Sequence, residues 1–161
     1  MTKEKLMPDF SRWLKANTGK PFDELDYLYG KCVEQSITPD IFLAFAHFFR
    51  PSFVLVNGML LLKDSAYKQS ADDFNLMNSR EKECWINLCT LSYIFPNFSC
   101  HQILHLARIM KASWEDCINR EFRSEDVLVE ILDDFENSEI SITACHRPFP
   151  WNKSVIHEMP R

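Results

Sequence analysis

The chain has 161 residues, the length of one domain, and with 46% hydrophobic and 13% aromatic residues it has the composition of a packed globule, not a disordered or fibrous chain. Its net charge of −5 arises in one window, residues 112–139, where Glu115, Asp116, Glu121, Glu125, Asp126, Glu130, Asp133, Asp134, Glu136 and Glu139 face only Arg120 and Arg123. Such a field repels nucleic acid, and the basic residues elsewhere are scattered, with no cluster interleaved with aromatics, so nucleic-acid binding is excluded from the expected functions.

The N-terminal stretch MTKEKLMPDFSRW has no apolar run of signal-peptide length, and no run in the chain approaches the roughly 20 residues that span a bilayer. A cytoplasmic protein without membrane contact is expected. Without repeats or a Gly/Ser-rich linker, residues 1–161 read as a single globular domain with an irregular tail from about 147, where Pro148, Pro150, Trp151 and Pro160 gather.

In chain order, Pro8 suits the first turn of a helix through Phe10, Trp13 and Leu14 that stops at 17–19. Pro21 opens a second helix, with Phe22, Leu25, Leu28, Tyr29, Cys32 and Val33 at three-and-four spacing. Thr38 then caps a third, whose IFLAFAHFF is apolar on most faces and predicts the most buried element; Pro51 ends it. The run 52–63 carries Asn57-Gly58 between two β-prone apolar segments, a type I′ hairpin signal, and its near-continuous apolarity predicts strands covered on both faces.

Ser79-x-x-Lys82 starts a helix expected to run through Trp85, Leu88 and Leu91 to Phe95, before Pro96. Asn97 or Ser99 caps the next, with Ile103, Leu106, Ala107 and Met110 on its apolar face, continuing or kinking into Trp114 and Cys117. The segment 126–133 fits either a strand or a helix. Because 139–145 alternates cleanly after it, a second hairpin over 126–145 is preferred. The expected fold is α+β, mostly helical, with a small antiparallel sheet built from two β-hairpins, about 52–63 and 126–145.

The most enzyme-like stretch is Ser99-Cys100-His101-Gln102-Ile103-Leu104-His105. Two histidines four apart share a helix face, which is the basis of the HExxH zinc motif. Here Gln102 stands where that motif has its glutamate base, and a third ligand would have to come from Cys100, Cys145, His146 or His157. The partial positive charge of a helix start also disfavours a cation there. No GxSxG elbow, GxGxxG or Walker motif occurs, and only three glycines are present. The adjacent carboxylates Asp133 and Asp134 face opposite ways on a strand, so they do not form an acid–base pair. The six cysteines (32, 84, 89, 100, 117 and 145) include no CxxC and are expected to be reduced and structural. No cofactor is expected.

The order Phe48-Phe49-Arg50-Pro51, Phe53, Gly58 and Leu60-Leu61-Leu62, followed by Ser79, Trp85 and Asn87 on a helix, resembles small cytosolic immunity proteins of bacterial polymorphic toxin systems. The resemblance covers about residues 40–95 and assigns no individual residue a role. It implies a non-enzymatic protein that binds and blocks a cognate toxin domain, and it agrees with the charge layout, since many such toxin domains are basic. The expected partner-binding residues are Glu115, Asp116, Glu125, Asp126, Glu130, Asp133, Asp134, Glu136 and Trp151. The partner is a toxin or another basic protein. The alternatives are a small metal- or thiol-dependent enzyme using Cys100, His101 and His105, and a mobile-element adaptor that binds a host protein.

Overall fold

The computed structural model describes residues 3–19, 21–35, 38–66, 77–122, 126–134 and 139–150. The fold is α+β, mostly helical, and both expected hairpins are present, although they lie in separate sheets. The chain divides into two compact units, residues 1–45 and 46–161.

The first unit holds α1 (Lys3–Leu6), α2 (Pro8–Ala16), α3 (Glu24–Gln35) and the start of α4 (Pro39–Phe49). Pro8 opens α2, where its missing N–H leaves no bond unmade. The second helix begins later than Pro21 predicts. Asp23 sets its start, because its Oδ1 accepts from the amides of Leu25 and Asp26. Phe10, Trp13, Phe22 and Tyr27 form the small core, with the Trp13 and Phe22 ring centres 5.3 Å apart.

Burial of α4 is where the sequence misleads most. No residue of α4 is buried, although its composition predicts the most buried helix. The start of α4 lies in a unit of about 45 residues, too little chain to enclose a helix apolar on most faces, while at its end Phe48 and Phe49 are half-buried against the core of the second unit.

After the end of α4, the second unit continues with the hairpin of β1 (Phe53–Val56) and β2 (Met59–Leu62), paired from Phe53↔Leu62 to Val56↔Met59. Asn57 and Gly58 have φ of 51° and 80°, the left-handed pair that a type I′ turn requires. Coverage on both faces holds for Leu60 and Leu61 of β2. It fails for β1, whose Leu55 is 61% exposed at the outer end of the hairpin.

After α5 (Lys63–Ala66), a capping box starts α6 (Ser79–Ile86): Asn78 Oδ1 accepts from the amides of Arg80 and Glu81, and Glu81 accepts from the amide of Asn78. The helix stops at Asn87 instead of reaching Phe95, and β3 (Cys89–Thr90) and α7 (Leu91–Ile94) follow. Next, α8 (Cys100–Phe122) is one continuous helix, and Ile103, Ala107, Met110, Trp114 and Cys117 are buried along a single stripe. The second hairpin joins β4 (Val127–Asp134) to β5 (Glu139–His146), in register from Val127↔His146 to Asp134↔Glu139, so 127–134 is a strand. Strand β3 pairs with the other edge of β5, giving the order β3-β5-β4.

The main core lies between α8 and one face of that sheet, where Val129, Ile140, Ile142 and Ala144 meet the stripe. Phe53 packs edge-on against Trp114 at 5.8 Å, which brings the first hairpin into the same core. The expectation that every cysteine is free needs correction. Cys84 of α6 is disulfide-bonded to Cys145 of β5, with their Cα atoms 5.2 Å apart. That contact spans 61 residues of sequence and leaves no mark in local spacing. Cys32, Cys89, Cys100 and Cys117 are free.

Candidate functional site

A buried polar seam organises the second unit. Glu83 and Asn87 are essentially inaccessible to solvent, at 1% and 0% exposure. Glu83 Oε1 accepts from the Leu60 amide at 2.6 Å, and its Oε2 accepts from the His146 amide at 2.9 Å. Asn87 Oδ1 accepts from the Leu62 amide at 2.7 Å, while its Nδ2 donates to the carbonyls of Leu60 and Ala144, each at 2.7 Å. The two side chains therefore bond to the edge of β2 on one side and the edge of β5 on the other. Farther along β5, the Ile140 amide donates to Ser92 Oγ at 2.9 Å. Thr143 Oγ1 donates to the Cys84 carbonyl at 2.6 Å, which satisfies a carbonyl at the end of α6. Among the described residues no buried side-chain nitrogen or oxygen lacks a partner.

The seam opens at one end into a cleft of about 480 Å³, lined by Asn57, Gly58, Met59, Ser79, Arg80, Glu83, Asp126, His146 and Arg147. His146 Nδ1 lies 2.7 Å from Glu83 Oε1. An ionised Glu83 can only accept, and the 2.7 Å contact then takes the hydrogen of Nδ1. Nε2 is then the ring's remaining polar atom, on a side chain that is 29% exposed at the cleft wall. The Arg147 amide donates to the Asp126 carbonyl at 2.6 Å and ties the end of β5 to the start of β4.

No protein-family model, curated protein or solved structure matches the chain.

The acids singled out in the sequence do not converge on one surface. Glu115 and Asp116 lie on α8, where Lys111 sits 3.6 Å from Glu115, and Arg120 and Arg50 approach Asp116 at 2.9 and 3.6 Å. On β4, Glu130 and Asp134 point to the face away from α8, whereas Asp133 shares the face of Val129 and Ile131. Asp126 lies at the cleft instead. Glu125, Glu136 and Trp151 are outside the described residues. Glu115 also borders a smaller groove of about 290 Å³ with Asn119, Val127 and Arg147.

At the start of α8 the capping box accounts for Gln102. Its Oε1 accepts from the Ser99 amide and hydroxyl at 2.9 and 3.0 Å, and Ser99 Oγ accepts from the Gln102 amide at 3.4 Å. His101 and His105 are exposed, and Cys100 is half-buried. Among the described residues no group of three or more His, Cys, Asp or Glu side chains is placed to hold a metal ion. No described helix is long and apolar enough to cross a membrane. Burial pushes the Cys89 thiol up to about 11, so it remains protonated and unreactive at neutral pH.

Glu83, Asn87, Arg80 and Arg147 carry no site role in the expectations drawn from the sequence, where His146 stands only as a candidate metal ligand. A signal was present: Glu83 and Asn87 are a polar pair at i,i+4 among the apolar residues Cys84, Trp85, Ile86 and Leu88.

Proposed function

We propose that the chain works by binding another protein, as an immunity-type inhibitor that covers a basic toxin domain. The observation that carries this reading is the set of large apolar side chains that α3 and α4 leave in solvent. Leu25 is 74% exposed, Tyr29 75% and Leu43 59%, with Leu28, Phe42 and Phe45 also exposed. Surfaces of this composition are where protein partners dock, and aromatic anchors supply most of the affinity. Glu24, Asp26 and Asp40 stand exposed in the same helices, and they favour a partner whose rim is basic.

The acidic residues of α8 and β4 have a different role in this reading. They set a long-range field that speeds the encounter, while the apolar side chains set the lifetime of the complex. Ion pairs at Glu115 and Asp116 are exposed and weak, so they reduce that field only locally.

The test is titration of the chain with a purified toxin domain encoded beside it, at low and physiological ionic strength. Binding should weaken with salt. Phe42→Ser with Leu43→Ser should speed dissociation, and Glu130→Gln, Asp133→Asn and Asp134→Asn together should slow association. A complex indifferent to both sets of substitutions, or no complex, would sink the proposal.

A further inference from the structure

The cleft beside Glu83 has its own chemistry. Two exposed arginines, Arg80 and Arg147, line it, the latter also bordering the smaller groove, and neither has an ion-pair partner among the described residues. The carboxylate in its wall does not answer them. Glu83 already receives the Leu60 amide, the His146 amide and His146 Nδ1, so its oxygens are engaged inside the protein. The other carboxylate, Asp126, is exposed. The start of α6 contributes little, because the amides of Arg80 and Glu81 are taken by Asn78. Recognition therefore falls to side chains: two cationic forks and one imidazole whose orientation is fixed from behind by a buried carboxylate.

We propose that this cleft binds a small phosphomonoester, with Arg80 and Arg147 gripping the phosphoryl oxygens and His146 Nε2 meeting a third. A tetrahedral dianion uses both guanidinium groups at once, whereas a monocarboxylate satisfies one fork. Nε2 serves in either protonation state. It donates when the ring is charged, and when the ring is neutral it accepts the proton of a singly ionised phosphate. Glu83 is a positioning residue, since it holds the ring through Nδ1 and does not touch the ligand. A volume of about 480 Å³ exceeds a bare phosphate, and Asn57, Ser79 and Asp126 provide polar partners for a hydroxylated organic part. The class that fits is a sugar phosphate or a molecule of similar size and polarity.

The experiment follows the side-chain resonances of His146 during titration of the full chain with inorganic phosphate, glucose 6-phosphate and glucose. Calorimetry runs in parallel. Both phosphates should shift the His146 ring resonances, glucose should not, and tighter binding of glucose 6-phosphate would show that the organic part is used. Arg80→Ala and Arg147→Ala, both at exposed positions, should each weaken binding by about tenfold or more without changing the unfolding midpoint. The inference is overturned by an unmoved His146 at about 10 mM of either phosphate, an affinity already too weak to be specific. It is overturned equally by binding that persists unchanged in the double variant, or by glucose alone producing the same shift. None of these outcomes depends on the presence of a protein partner, so failure here leaves the inhibitor reading standing.

Discussion

Glu83 and Asn87, four residues apart at the end of α6, take the place of a strand between β2 and β5. The match is geometric. Four residues of helix advance about 6 Å, and two residues of strand advance about 6.7 Å, so side chains one helical turn apart meet main-chain groups that repeat along a strand edge. A carboxylate opposite two amides and a carboxamide opposite an amide and two carbonyls give every buried group its complement.

Asn87 should therefore be among the least replaceable residues of the second unit. Asn87→Ala strands the Leu62 amide and the Leu60 and Ala144 carbonyls in a dry interior, and should cost about 3–5 kcal/mol in urea unfolding. Asn87→Asp should cost more than Ala, although it is nearly isosteric, because it aims a carboxylate oxygen at two carbonyls. If Asp were tolerated better than Ala, the assigned amide orientation would be wrong.

The Cys84–Cys145 bond closes a loop of 61 residues, for which chain entropy gives about 4 kcal/mol. Cys84→Ser with Cys145→Ser should lower the urea midpoint in oxidising buffer, and reductant should then have no further effect. Both sulfurs are buried, so reductant should act on the native wild-type chain only as fast as it opens.

At the start of α8 the cap matters and the histidines do not. Ser99→Ala should cost about 1 kcal/mol, through the lost capping box. His101→Ala and His105→Ala should each stay within about 0.5 kcal/mol of wild type, as exposed positions do. Thermal or urea unfolding of the three variants separates the two kinds of residue. Stoichiometric zinc in the purified protein, lost in His105→Ala, would contradict this ranking.

Cys89 predicts a pH dependence. Its thiol stays protonated to about 11 in the folded chain, against an ordinary value of 9.0. Between about pH 9 and 11 the unfolded chain has lost this proton and the folded chain has kept it, so stability falls as pH rises. Cys89→Ala should remove that part of the decline, visible as a flatter slope against wild type over the same range.

Local chemistry was legible in the sequence, and tertiary reasons were not. Asn57-Gly58 announces its hairpin because the turn's two dihedrals demand those residues. The alternation of Ile140, Ile142 and Ala144 and the stripe from Ile103 to Cys117 announce a strand and a helix face because each repeats the period of its own element. The stop at Asn87 is invisible, since the apolar run continues to Phe95 and the helix yields only because β2 and β5 need that side chain. Nor does the apolarity of α4 say that a core covers it. The cleft was equally hidden, because Arg80, Asp126 and Arg147 meet only after the two hairpins and α6 are in place.

The seam has a further consequence for what a damaged variant would do. Loss of Glu83 leaves the Leu60 and His146 amides unpaired, and loss of Asn87 leaves the Leu62 amide and the Leu60 and Ala144 carbonyls unpaired, each a point on a strand edge where another molecule's backbone can pair. The first symptom of such a variant should be precipitation during expression. A screen for activity alone would not separate such a loss of solubility from a loss of function, so soluble yield should be measured beside it.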